Sequence, residues 1–153
     1  MELITSLTNA KVKMALSLQQ KKYRDKYQLF ILEGIRNAEM VIAKNISVQM
    51  CFFTQKAFTN ERGKSILEQL KCPCFEVPEH IYQKISDTQS PQGLMLILPI
   101  QNHNLDDLST INKSGLYLIL DRLQDPGNIG TIIRTADAMG VKAIICLNGT
   151  ADI

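Results

Sequence analysis

The chain has 153 residues, of which 45% are hydrophobic and 21% charged, with a formal net charge of +2 at pH 7. This length predicts one domain or two small ones, and this composition excludes an intrinsically disordered chain. No apolar run approaches the roughly 20 residues that a transmembrane helix needs, so we predict no membrane association. The N-terminus lacks the pattern of a secretory signal, and the four cysteines are not spaced as a disulfide framework. We therefore predict a cytoplasmic protein with reduced thiols.

Positive charge is concentrated near the start of the chain. Residues 1–26 contain six basic and two acidic side chains, a local net charge of +4, whereas the remaining residues sum to −2. This distribution indicates an anionic partner at one face, and nucleic acid is a common one. A solvated helix face explains the same charges, and charge alone does not decide between the two interpretations.

The apolar periodicity of the first 100 residues alternates between helix and strand. Asn9 is a suitable N-cap for the first helix, and Pro78 is suited to open the last one. The predicted helices are 9–20, 35–43, 61–70 and 78–85, and the predicted strands are 27–34, 48–53, 74–77 and 93–99. Strands that alternate with helices of about ten residues predict an α/β sandwich over residues 1–100.

A change of composition marks a second segment. Residues 101–114 are rich in Asn, Asp, Ser and Thr and are predicted to be an interdomain linker. Residues 115–120 and 143–147 are apolar runs typical of strands buried on both faces. One βαβ unit is too short to cover a parallel sheet, so we expect either a fragment of a longer protein or a partner that supplies strands. Apolar surface after Ser114 is therefore expected to be exposed, and to pack against a second copy or be loosely ordered.

The helix predicted between those two strands has distinct faces. Its apolar positions follow the i, i+3, i+4, i+7 rule and are expected to face the sheet: Ile129, Ile132, Ile133 and Ala136. Arg134 falls on another stripe of the helix. Because helical side chains lean toward the N-terminus, we expect its guanidinium to project back over the preceding loop.

The loop before this helix is built for close approach to an anion. Asp125 and Asn128 are both competent helix caps, Pro126 suits a first helical position, and Gly127 and Gly130 allow close backbone approach. A helix N-terminus beside an arginine favours a phosphate. The spacing matches neither a P-loop nor a dinucleotide fingerprint, so an oxidoreductase fragment is disfavoured. The alternative is a tight turn with an exposed arginine.

The residues of this loop resemble a known family. Residues 125–130 (DPGNIG), followed by residues 134–136 (RTA), are similar to the first signature motif of the SpoU (TrmH-type) RNA 2′-O-methyltransferases. Three earlier segments are similar to the family's N-terminal substrate-binding domain: residues 4–13 (ITSLTNAKVK), 30–34 (FILEG) and 86–93 (SDTQSPQG). The four landmarks occur in the family's order over most of the chain.

This resemblance implies a ribosomal-protein-like α/β RNA-binding domain at residues 1–100. It is joined to the first βαβ unit of an α/β-knot methyltransferase domain at residues 115–153, which in this family is usually dimeric. It also implies S-adenosylmethionine as methyl donor and a ribose 2′-hydroxyl of rRNA or tRNA as acceptor. Asn128 and Arg134 match the family's active-site asparagine and arginine. The family's remaining motifs lie beyond Ile153, so we expect a fragment inactive on its own; the alternative is a non-catalytic RNA-binding module.

Basic and aromatic residues are interleaved within residues 21–27 (KKYRDKY). Such a combination pairs phosphates and stacks bases, although the end of a helix leading into a strand also accommodates it. The resemblance favours the RNA interpretation. The residues predicted to contact RNA are Lys11, Lys13, Lys21, Lys22, Tyr23 and Arg24.

Metal binding and cysteine chemistry find little support in the sequence. Cys72 and Cys74 lack a second nearby pair of ligands, and we predict no metal site. His80 and His103 have no serine or cysteine constellation around them. Glu33, before Gly34, is either a helix-start acid or an anchor for backbone elsewhere.

Overall fold

The computed structural model describes residues 1–101 and 114–151. The chain divides into two compact units, residues 1–101 (the N-terminal unit) and residues 102–153 (the C-terminal unit). Residues 102–113 of the predicted linker lie outside the described residues.

The N-terminal unit contains five strands and six helices in its described residues. They are β1 (Glu2–Leu3), α1 (Ala10–Ser17), α2 (Lys21–Tyr27), β2 (Leu29–Glu33), α3 (Ile35–Ala43), β3 (Met50–Phe53), α4 (Gln55–Thr59), α5 (Glu61–Gln69), β4 (Cys74–Glu76), α6 (Glu79–Ile85) and β5 (Leu94–Pro99). The α/β class is confirmed. Every helix and strand predicted for this unit is present, and Asn9 caps α1 by accepting from the backbone N–H of Lys11 at 2.9 Å.

The sequence did not predict β1, α2 and α4. β1 has two residues and α4 has five, so neither is long enough to show a periodic pattern. The predicted first helix, 9–20, ends at Ser17, and the basic residues that follow form a separate helix, α2. None of the seven residues of α2 is buried, which is why no apolar stripe marked it as a helix.

The five strands form one mixed sheet in the order β1-β4-β3-β5-β2. β4 runs parallel to β1 and to β3, while β5 runs antiparallel to both β3 and β2. The antiparallel register pairs Glu33 at the end of β2 with Met95 at the start of β5. Because of this register, the turn that precedes α3 lies beside the loop that precedes β5.

Side chains from the sheet alternate between two hydrophobic clusters, one on each face. Met95 and Ile97 point into the cluster that includes residues of α1 and α6, whereas Leu94, Leu96 and Leu98 point into the one that includes residues of α3, α4 and α5. All five side chains are at most 2% exposed. β5 is therefore apolar on both faces, because helices cover the sheet on both sides.

The C-terminal unit is a single βαβ unit in its described residues: β6 (Tyr117–Leu120), α7 (Pro126–Ala138) and β7 (Ala143–Cys146). The strands run parallel, with Leu120 opposite Cys146. Ile129 and Ala136 of α7 are buried, as predicted. The prediction that both strands are buried on both faces is wrong, because Ile119 of β6 is 60% exposed and no residue of β7 is fully buried. Met139 is 68% exposed, so apolar surface is uncovered in this unit as expected.

No helix among the described residues has the length and apolarity to cross a membrane.

Tyr82 tests how the core tolerates a polar atom. Its side chain is fully buried, burial raises its pKa, and its hydroxyl has no hydrogen-bond partner among the described residues. Because an unpaired buried hydroxyl is costly, Tyr82→Phe should raise the free energy of unfolding by about 1 kcal/mol. Chemical denaturation of the two proteins measures the difference. A loss of more than about 1 kcal/mol would show that the hydroxyl is satisfied in solution.

Candidate functional site

The start of α7 is organised by its own capping residues. The carboxylate of Asp125 accepts a hydrogen bond from the backbone N–H of Asn128 at 2.8 Å, and Pro126 occupies the first helical turn. Both positions agree with the sequence prediction. The Asn128 side chain is exposed and makes no hydrogen bond to a described residue, so its amide is available to a ligand.

Arg134 folds back toward the N-terminus of α7, as its position on the helix predicts. Its Nη2 donates to the hydroxyl of Thr131 at 3.0 Å, and that hydroxyl donates in turn to the carbonyl of Gly127 at 3.0 Å. A Cβ on Gly130 would lie 3.4 Å from Nη1 of Arg134, which is an ordinary van der Waals contact and places the guanidinium over this glycine. The side chain is exposed and forms no ion pair with a described residue. Sequence reasoning missed Thr131, although its place one turn before Arg134 was a usable signal.

The loops that follow β6 and β7 are tied together at the carboxyl ends of the two parallel strands. The side-chain amide of Gln124 donates to the carbonyl of Gly149 at 2.7 Å, and the N–H of Ala151 donates to the carbonyl of Leu123 at 2.8 Å. Ligands of open α/β sheets bind at this end of the strands. The hydrogen bonds give the site a fixed edge.

The predicted RNA-binding lysines differ in how strongly they are engaged. Lys11 pairs with Glu2 at 3.1 Å and lies 4.2 Å from the ring centroid of Phe75, whereas Lys13 is exposed and unpaired among the described residues. Lys21 forms an exposed pair with Asp25 at 3.2 Å. Exposed ion pairs are worth about 0–1 kcal/mol, so these pairs do not prevent a phosphate from competing.

Arg24 has a structural task that the sequence did not reveal. Its Nη1 donates to the carbonyls of Leu18 and Gln19, at 2.9 and 3.0 Å, and so fastens α2 to the end of α1. Of the predicted RNA-contacting residues, Arg24 is therefore better suited to positioning the helix than to reaching a phosphate. Lys22 and Tyr23 lie on α2 with the lysine Nζ 5.8 Å from the ring centroid.

Two of the segments that carried the family resemblance meet at Glu33. Its carboxylate accepts from the hydroxyl of Ser86 at 2.7 Å, the N–H of Asp87 at 3.0 Å and the hydroxyl of Thr88 at 3.3 Å. Glu33 is thus an anchor for the loop at residues 86–88, which decides between the two roles that the sequence left open.

A second contact between the same segments involves Gln92, which sequence reasoning missed. Its side-chain oxygen accepts from the N–H of Ile35 at 2.8 Å, at the start of α3. Gly34 precedes this helix with φ of 100°, a conformation that favours glycine. An open groove of about 330 Å³ lies here, lined by Glu33, Gly34, Arg36, Asn37, Thr88, Ser90 and Gln92.

The cysteines are free thiols. Cys51 and Cys74 are partners in the β3–β4 register, and the neighbouring thiol of Cys74 together with burial raises the pKa of Cys51. Among the described residues, no group of His, Cys, Asp or Glu is arranged to hold a metal ion. His103 lies outside the described residues.

Family models match both units of the chain. The model of the MRM3-like substrate binding domain matches residues 9–96, which is more than half of the chain. The model of the SpoU rRNA Methylase family matches residues 115–153. The chain belongs to the SpoU family of RNA 2′-O-methyltransferases.

This SpoU-family chain is similar to known rRNA methyltransferases in sequence and in structure. The 23S rRNA (guanosine(2553)-2′-O)-methyltransferase RlmP of Bacillus subtilis is 33% identical over 152 residues, covering 99% of this chain and 57% of RlmP. The human mitochondrial rRNA methyltransferase 3 is 27% identical, covering 88% of this chain and 32% of that protein. The AdoMet-bound rRNA methyltransferase from Sinorhizobium meliloti is 32% identical with a TM-score of 0.81, over 99% of this chain and 56% of that one. The SpoU-family chain thus spans slightly more than half of the two bacterial proteins and about a third of the human one.

Glu33 provides a test of the loop anchor. Glu33→Gln keeps the shape but removes the charge that three donors share, so we expect the free energy of unfolding to fall by about 1–2 kcal/mol. Amide exchange at Asp87 should accelerate because its N–H loses a strong acceptor. The matched control is Glu68→Gln, an exposed glutamate of α5, which should change neither quantity. Unchanged exchange at Asp87 in Glu33→Gln would contradict the anchor.

Proposed function

We propose that this chain comprises the RNA-binding domain (residues 1–100) and the first part of the catalytic domain (residues 115–153) of an S-adenosylmethionine-dependent rRNA ribose 2′-O-methyltransferase, connected by residues 101–114. The observation that carries the proposal is the exposed Arg134, held over the start of α7 by Thr131 inside the segment that matches the SpoU family. RlmP and the S. meliloti protein, as rRNA methyltransferases, support the substrate class. Transfer RNA is the second candidate substrate.

In the proposed mechanism, Arg134 acts on the RNA. A guanidinium stays protonated in proteins, so it cannot take the proton that the ribose hydroxyl must lose. It is suited instead to grip the phosphate beside the target ribose and to stabilise the developing alkoxide. Asn128, with its free amide near the same helix end, would hydrogen-bond the sugar or hold the loop.

The described residues do not fit the methyl donor as well as they fit the RNA. S-adenosylmethionine carries a cationic sulfonium, which the exposed guanidinium of Arg134 repels. In the part of the C-terminal unit described here, the groove along α7 is almost entirely apolar, with Leu116, Thr131 and Met139 in its lining, so it offers few polar partners to an amino acid group. We therefore assign no cofactor-binding residue to this chain and expect it to be inactive alone.

The exposed apolar side chains of the C-terminal unit support a homodimer. Leu116 is 55% exposed and Ile119 is 60% exposed, so a second copy would gain apolar burial there. Sedimentation at increasing concentration distinguishes a dimer from a monomer. The free cysteines remain the reason to place the protein in the cytoplasm.

A non-catalytic RNA-binding module is the alternative function. It is favoured by the match of the MRM3-like substrate binding domain to residues 9–96, which make up more than half of the chain. Calorimetry with S-adenosylmethionine and with structured RNA separates the two. The module is supported if the chain binds RNA but not S-adenosylmethionine, and if a fusion to the remaining part of RlmP transfers no methyl group.

Arg134→Lys tests the catalytic proposal. We suggest joining this chain to the part of RlmP that it does not cover, to obtain a full-length enzyme. Because lysine keeps the charge but lacks the planar fork, Arg134→Lys should lower kcat for rRNA methylation about tenfold or more. Arg62→Lys, at an ion pair with Glu39 in the N-terminal unit, is the control and should leave kcat unchanged. Equal turnover of the Arg134→Lys and unmodified enzymes would remove the proposed role.

Salt dependence tests the RNA-binding surface. Three phosphate contacts from the basic residues of α1 and α2 predict a slope of about −2 to −3 for log affinity against log salt concentration. Lys22→Ala should reduce the magnitude of this slope by about 0.7–0.9, the effect of one lost phosphate contact. Lys64→Ala, an exposed lysine of α5, should leave the slope unchanged. A slope near zero in the unmodified chain would remove the surface from the RNA interface.

A further inference from the structure

Two tyrosines form an aromatic pair on α2, in which Tyr27 is exposed and Tyr23 is half-buried. Tyr23 and Tyr27 are four residues apart and so lie on the same side of the helix. Their ring centroids are 6.2 Å apart with an interplanar angle of 16°, which is a stacked arrangement. Tyr27 is 40% exposed and no residue of α2 is buried. The rings therefore present aromatic surface that the hydrophobic core does not use.

Lysines frame both rings. The Nζ of Lys22 lies 5.8 Å from the centroid of Tyr23, and the Nζ of Lys26 lies 5.4 Å from the centroid of Tyr27. Asp25, the one acid in α2, is paired with Lys21. The ring pair is thus surrounded by positive charge, and the ammonium groups rest on ring faces where a flat ligand could replace them.

The short helix is held in place at both ends. Arg24, in the middle of α2, donates to the carbonyls of Leu18 and Gln19, which precede the start of the helix. At its end, Gln28 adopts a left-handed conformation with φ of 54°, and its side-chain amide donates to the carbonyl of Asp25 at 2.8 Å. An isolated helix of seven residues is unstable in water, so these bonds keep the two rings aligned before any ligand arrives.

We propose that Tyr23 and Tyr27 form a stacking platform for an unpaired base of RNA, with Lys22 and Lys26 pairing the flanking phosphates. The proposal rests on the RNA binding proposed above and adds the kind of RNA that this surface takes. Bases within a duplex are stacked on one another and offer no free face, whereas bases in loops and bulges can stack on aromatic side chains. The occupant is therefore a single-stranded segment.

A base that stacks on Tyr27 would displace the lysine ammonium from the face of the ring. When a base covers the face of Tyr27, the ammonium of Lys26 leaves the ring and becomes available to the adjacent phosphate. The lysine thus exchanges a cation–π contact, worth about 0.5–1 kcal/mol at an exposed site, for a stronger charge pair. Tyr27 and Lys26 join the RNA-contacting set on this basis, and Arg24 acts as the positioning residue.

Intrinsic fluorescence and binding to short RNA test the platform. The chain has four tyrosines and no tryptophan, so tyrosine emission is not masked. A single-stranded oligoribonucleotide should quench this emission, and it should bind more tightly than a hairpin stem of equal length. Tyr27→Ala should weaken single-strand binding about fivefold or more, as expected for one lost stacked base, and leave stem binding within about twofold. Tyr27→Phe keeps the ring and should restore binding.

Tyr27→Leu guards against loss of structure, because it keeps an apolar side chain of similar reach without a π face; circular dichroism checks that each variant folds. Equal single-strand affinity for Tyr27→Leu and the unmodified chain overturns the platform while RNA binding itself stands. An equal loss of affinity for the single strand and for the stem also overturns the platform, since the surface would then contact only the RNA backbone. If the unmodified chain binds neither RNA, the RNA-binding proposal fails, and the platform with it.

Discussion

The N-terminal unit depends on β5, a strand whose side chains are buried on both faces of the sheet. β5 pairs with β2 on one side and with β3 on the other, and its alternate side chains contribute to both hydrophobic clusters. Its antiparallel register with β2 has a further consequence. The end of β2 lies beside the start of β5, so Glu33 reaches the loop at residues 86–88 and Gln92 reaches the start of α3. The burial of one apolar strand thus fixes the polar groove at its end.

The C-terminal unit shows how a helix start can combine rigidity with an available charge. The Asp125 cap and the Thr131 hydroxyl satisfy local groups, while Arg134 remains exposed and without an ion partner in the described part of the chain. A charged side chain that makes one hydrogen bond to a neutral hydroxyl loses little interaction energy when it binds a phosphate instead. The same unit leaves apolar side chains such as Ile119 in solvent, which matches a catalytic domain that this chain contains only in part.

Basic residues near the start of the chain do not act as one uniform patch. Lys11 is shared between Glu2 and the ring of Phe75, and Arg24 binds backbone carbonyls of the preceding turn. Lys13 of α1 and the side of α2 that carries lysines and stacked tyrosines are less engaged by the rest of the unit. In the RNA complex proposed above, charge would attract an RNA to this surface from a distance, and aromatic stacking would select bases that are not already paired.

Local patterns were sufficient for the alternation of helices and strands, the capped turn before α7 and the direction of Arg134, because each depends on residues within a few positions of one another. Tertiary structure alone decided the partners of Glu33, which lie more than fifty positions away and meet it only through the β2–β5 register. The helix at residues 21–27 was not predicted because none of its residues is buried and no apolar stripe marks it. Long-range hydrogen bonds follow from strand order, which no short segment encodes.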